Sequence, residues 1–204
     1  MEETRSEGNA PSLELITVLR LLMALYFEKW DLVQRLMKIS TDKRATDCHH
    51  WSYYLNSFIR GLACFSLYRL TRRRKYHREG SRLTRVLQKL AAQGSAGCQG
   101  KYLLLKAEQV SLNTRSSTGD LLEAYKKAAE MTVGWRESLI DEGLAHERAA
   151  SAFMERDEGV RARPFILRAI DCYSRWGAKA KVSWLETKFY YVLLETGRSP
   201  IKMS

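Results

Sequence analysis

Proline falls at only three of 204 positions, and none of the three cuts an apolar run. Pro11 precedes the first such run, Pro164 lies just inside a late one, and Pro200 follows the last. A proline in a helix interior costs a hydrogen bond and a clash, so its absence there leaves long helices unobstructed. Alternating β-branched runs, the mark of half-buried strands, are few. The pattern predicts an all-α chain.

Apolar residues recur at steps of three and four along several segments. Leu13 to Phe27 reads as one helix with Ser12 as its cap, and a polar break from Glu28 to Asp31 leads into DLVQRLMKI. Trp51 to Leu70 carries Tyr54, Phe58, Leu62, Phe65 and Arg69 on one stripe, and Tyr76 to Ala92 carries Leu83, Leu87 and Leu90. AAQGSAGCQG, with three glycines, reads as a link. KYLLLKAEQVSL follows as helix, NTRSSTGD as turn, and LLEAYKKAAEMT as partner helix. Further helices are expected from about Trp135 to Met154, around FILRAIDCYSRW, and over AKVSWLETKFYYVLLE as a single piece.

Nine helices joined by short polar turns suggest repeated antiparallel pairs. Ala150, Phe153, Ala162, Ile166 and Ala169 stand at the spacing of the small, aromatic, alanine, apolar and alanine positions of a tetratricopeptide unit. Alanines let two helix backbones approach, while Phe153 and Ile166 fill the space between. Ala107, Val110, Leu121, Tyr125 and Ala128 echo this more weakly. No strict period runs throughout, so the expected fold is a divergent tetratricopeptide-like superhelical array of antiparallel pairs. Its organisation is expected as a polar tail over 1–11, a helical domain over 12–196 and a second tail over 197–204. Within the domain, looser pairs at 12–93 precede better-defined repeats at 101–196.

RWGAKAKVSWLE could be mistaken for a phosphate loop. A Walker loop needs a leading glycine, four residues, then Gly-Lys-Ser/Thr between strand and helix, and neither this stretch nor SAGCQGKY meets the pattern. Gly177 instead reads as the left-handed residue that ends one helix before another begins. Tyr173 and Trp176 before it, and Val182 and Leu185 after it, are expected to pack inward, with Lys179 and Lys181 on the exposed face. SAGCQGKY reads as a flexible link.

Catalytic, cofactor and metal groups are not indicated. Cys48, His49 and His50 are neighbours whose side chains diverge, with no fourth ligand at a suitable spacing. Glu142 and His146, one turn apart, read as a surface ion pair. Cys172 lacks an evident base, and convergence with His146 and Glu142 is not expected from their helix faces. The longest apolar run, Leu15 to Phe27, is too short and carries an arginine, so no membrane span is expected. Four cysteines without a paired pattern suit a reduced, cytoplasmic setting.

Charge is the more informative signal. Between Arg60 and Lys89 stand ten Lys and Arg residues against the single acid Glu79, which supplies nine of the chain's eleven net positive charges. A candidate anionic-partner patch follows: Arg69, Arg72, Arg73, Arg74, Lys75, Arg78, Arg82 and Arg85. Nucleic acid, an anionic membrane and an acidic protein surface would all respond to such a field. No groove-reading or base-stacking motif accompanies it.

The span from Lys101 to Phe189 resembles the helical repeat region of large ATP-binding sensor histidine kinases. The resemblance rests on Leu144, Ala145, Glu147, Ala149 and Ala150, and then on Tyr173, Trp176, Gly177, Ala178, Lys181, Val182 and Leu185. Ala24 to Met37 is similar to an earlier helix pair of that region. Pro164 and the cluster from Arg72 to Lys75 depart from the family pattern, and the motifs of its ATPase and kinase domains are absent. The resemblance implies a noncatalytic protein-interaction or interdomain scaffold, with neighbouring kinase or ATPase domains as partners. A nucleic-acid-associated adaptor using the basic run is the alternative.

Overall fold

The computed structural model describes residues 10–39, 51–95, 97–131 and 138–194. Residues 1–9 of the first expected tail, the end of the expected domain at 195–196, the second tail 197–204, Cys48, His49 and His50, and the helix start expected at Trp135 lie outside them. Ten α-helices and no strand occur among the described residues, which are therefore all-helical in class. It divides into two compact units, Met1–Arg115 and Ser116–Ser204.

The first unit contains α1 (Ala10–Tyr26), α2 (Trp30–Ile39), α3 (Trp51–Thr71), α4 (Arg74–Ala92) and α5 (Cys98–Leu112). α1 starts two residues before Ser12, because proline is tolerated in a first turn and Pro11 therefore need not stay outside. α3 packs against each of the other four helices. It consequently buries several faces, with Phe58, Ile59, Leu62, Ala63, Phe65 and Leu67 all in the core.

α5 belongs to this unit rather than to the later repeats. A Cβ on Gly61 would lie 2.5 Å from Leu105, and one on Gly80 would lie 2.6 Å from Phe65, so side chains of α5 and α3 nest where those glycines leave room. Cys98 and Gly100, read from the sequence as flexible link, are buried in the first turn of α5. Only the turn around Gly94 and Gly97, both at positive φ, remains of that link. The weaker echo of the repeat is thereby divided, with Ala107 and Val110 in one unit and Leu121, Tyr125 and Ala128 in the other.

The second unit contains α6 (Thr118–Glu130), α7 (Ser138–Met154), α8 (Gly159–Trp176), α9 (Lys179–Lys188) and α10 (Tyr190–Leu194). α6 begins inside the stretch read as turn, because Ser117 and Asp120 form a reciprocal capping box. α7 packs on α6 and α8, and α8 on α9. Ala150, Phe153, Ala162, Ile166 and Ala169 are all fully buried. Phe153 stacks on Phe165 with ring centroids 5.5 Å apart. The expected final helix is two, because the backbone departs from helical geometry at Phe189 while that ring stays buried. This lets α10 pack on α8 as well as α9.

Gly177 has φ 87°, as the sequence predicts for a helix-ending residue. The amide of Ala178 donates to the Tyr173 carbonyl at 2.9 Å and that of Gly177 to the Ser174 carbonyl at 3.0 Å, the paired bonds of a Schellman turn. The same pair closes α7 at Asp157 and α1 at Glu28, with a carboxylate residue at φ 57° and 50° in place of glycine. No described helix is long and apolar enough to cross a membrane.

Candidate functional site

The basic run becomes a corner between α3 and α4. α3 ends at Thr71, whose hydroxyl donates to the Leu67 carbonyl at 2.7 Å. Arg72 then takes a left-handed conformation, φ 54°, its amide donating to the Tyr68 carbonyl at 2.8 Å. Arg73 is extended and α4 starts at Arg74, with no side chain capping the helix and no acid in the first turn. Arg72, Arg73, Arg74, Lys75 and Arg78 are exposed, and Arg85 is exposed farther along α4. The Arg72 guanidinium lies 6.0 Å from the Tyr68 ring centre and the Lys75 ammonium 4.9 Å from that of Tyr76.

Two members of the sequence-derived patch are engaged elsewhere. Arg69 turns inward and donates to Glu108 and Ser111 of α5. Glu108 is itself fully buried, so this pair fastens α5 to α3 rather than presenting charge to a partner. Arg82 grips Glu79 with two bonds of 2.9 Å. Those bonds hold the Glu79 carboxyl below its usual range, so the patch's single acid stays ionised and its charge is met by Arg82. Six exposed cations remain.

In the second unit, Glu142, His146 and Cys172 do converge, contrary to expectation. The Cys172 thiol hydrogen-bonds to the Glu142 carboxylate, and His146 Nε2 lies 3.8 Å from Glu142 Oε1. α7 and α8 approach closely here, since a Cβ on Gly143 would lie 3.1 Å from the Cys172 Cβ. The pair of Glu142 and His146 is largely covered rather than superficial. Burial pushes the imidazole pKa down, so His146 is neutral near pH 7 and no ion pair forms. Burial, and then the Glu142 carboxylate, push the Cys172 thiol up to about 12. A nucleophilic cysteine requires the opposite shift. Cys64 is likewise raised to about 12 by burial, and Cys64, Cys98 and Cys172 are all free and buried. Among the described residues no group of three His, Cys, Asp or Glu side chains could hold a metal ion.

RWGAKAKVSWLE contains two residues that sequence reasoning assigned to the wrong side, Lys181 and Trp176. Lys181 is buried, not solvent-facing. Its ammonium donates to Glu147 Oε1 at 2.7 Å, the Tyr173 hydroxyl donates to Glu147 Oε2 at 2.9 Å, and the Trp184 ring centre lies 4.0 Å from the Lys181 Nζ. Trp176, expected inside, is 45% exposed, and Val182 is half-buried, whereas Tyr173 and Leu185 are fully buried. α9 thus turns its lysine inward because Glu147, on α7, offers a buried partner. Glu147 at 34 residues' remove from Lys181 gave no local signal.

No family model, curated protein or solved structure matches the chain.

Proposed function

We propose that this chain is a noncatalytic α-helical interaction module that docks an acidic protein surface on the corner between α3 and α4. The observation that carries this reading is the corner itself. Arg72 occupies a left-handed position where glycine would be easier by about 1 kcal/mol. Around it stand Arg73, Arg74, Lys75 and Arg78, with Arg85 farther along α4, all exposed. The interior polar groups favour the same reading, because Lys181 with Glu147 and Arg69 with Glu108 are consumed in packing.

The finer description is a divergent tetratricopeptide-like array, for which α7 and α8 are the clearest pair. The buried alanines and the four-residue link between Met154 and Gly159 support it. The resemblance of Lys101 to Phe189 to the repeat region of sensor histidine kinases supplies the cellular context within this proposal, a scaffold beside kinase or ATPase domains in the cytoplasm.

The test compares proteins captured from native cells by the full chain and by a variant carrying Arg72→Glu, Arg73→Glu and Arg74→Glu. Circular dichroism should be the same for both. The wild-type chain should retain acidic proteins, resistant to nuclease, that the variant loses. Identical captured sets would overturn the docking corner. Capture abolished by nuclease, and falling steeply with salt, would instead establish the nucleic-acid adaptor, which the same cations favour.

A further inference from the structure

A second surface of the first unit is built from other residues than the corner's, on α1 and α2. α1 is apolar around most of its circumference. Val18, Leu21 and Ala24 are buried, yet Ile16, Leu19 and Met23 are 51%, 44% and 52% exposed. Those three stand at i, i+3 and i+7, which puts them in one row along the helix. Such a row is the seam into which another helix sets its side chains. Phe27 and Leu32 continue it into an open groove of about 450 Å³ beside α2.

The rim identifies the occupant. Arg20 and Lys29 line the groove, both are exposed, and among the described residues no carboxylate lines it. From this we infer that the groove of α1 and α2 receives an amphipathic helix of another protein, one with an apolar row flanked by glutamates or aspartates. Helix-in-groove recognition has this form, with anchors at i, i+3 or i+4, and i+7 setting affinity and flanking charges setting orientation. A second copy of this chain fits poorly. It would set Arg20 and Lys29 against their own kind, in a chain already carrying a formal +11.

The inference goes beyond the docking corner and does not depend on it. The probe is a fluorescent synthetic helix of about 15 residues, long enough to hold helical form on a surface, with leucines at i, i+4 and i+7 and glutamates beside them. Anisotropy is measured with the full chain, and a lysine-for-glutamate version serves as control. The glutamate helix should bind, and the lysine helix should bind at least about tenfold more weakly. Leu19→Glu or Met23→Glu should weaken binding by more than about tenfold, since each removes an apolar anchor, and both positions are exposed enough to leave the fold intact. Arg20→Glu with Lys29→Glu should reverse the preference between the two helices. The corner variant with Arg72, Arg73 and Arg74 replaced by glutamate should bind as wild type does, which separates this groove from the corner.

Three results would overturn the inference: no binding of the glutamate helix, equal binding of both helices, or binding lost only in the corner variant. A concentration-dependent dimer broken by Met23→Glu would assign the groove to a second copy instead. If the chain's own segments filled it, the probe would fail to bind while Met23→Glu lowered stability.

Discussion

The backbone of single residues carries a measurable part of this protein's stability. Gly177 and Asp157 end consecutive helices with the same pair of hydrogen bonds, yet only one of them is glycine. Nothing lies within 4 Å of where a Cβ on Gly177 would stand, so substitution there tests conformation alone. Gly177→Val should cost about 2 kcal/mol, because a β-branched side chain at positive φ meets its own backbone. Asp157→Gly should stabilise by about 1 kcal/mol for the converse reason. Chemical denaturation reads both, and equal stability of wild type and Asp157→Gly would mean that the carboxylate contributes as much as the backbone loses. The sequence announced Gly177 as a helix end because glycine is conspicuous there. Asp157 and Glu28 carried no such mark, since a left-handed carboxylate residue looks like any other in a polar turn.

At the scale of helices, α7, α8 and α9 are joined by a buried polar link. Lys181, Glu147 and Tyr173 come from three elements and satisfy one another away from water. Removing one partner strands the other, so Lys181→Ala should destabilise by about 3 to 5 kcal/mol. Lys181→Met with Glu147→Leu should restore part of that, because the pair's desolvation cost disappears with it while the buried Tyr173 hydroxyl loses its Glu147 acceptor. A double variant no more stable than Lys181→Ala, by thermal melting, would show that the network also sets how α9 sits on α7. Helix content and the buried positions Ala150, Phe153, Ala162, Ile166 and Ala169 were legible from apolar periodicity along α7 and α8. What was not legible depended on partners far along the chain: Lys181 needed Glu147, and Arg69 needed Glu108 and Ser111. The box of Ser117 and Asp120 was readable, a serine three residues before an acid, and marks the start of α6 more sharply than composition does.

The molecule as a whole is lopsided in charge. Residues 1–115 hold twenty Lys and Arg against ten Asp and Glu, while 116–204 hold fourteen against thirteen. Nearly all of the formal +11 therefore belongs to the first unit. Asn113, Thr114 and Arg115, the link at the boundary, are exposed. Brief trypsin treatment should cleave after Arg115, and the two products, once separated, should each keep a helical circular dichroism spectrum. Collapse of the 116–204 product to a coil would mean that it depends on the first unit for its fold.

The composition of the corner between α3 and α4 has a further consequence. Of the six exposed cations from Arg72 at this corner to Arg85 farther along α4, five are arginines: Arg72, Arg73, Arg74, Arg78 and Arg85. A guanidinium keeps its proton at every pH a folded protein survives, and it is not a substrate for lysine acetylation. The charge here is thus close to permanent. Neither acidification of a compartment nor an acetyltransferase could switch this surface off, and ionic strength or a competing anion remains the lever that sets how strongly it holds.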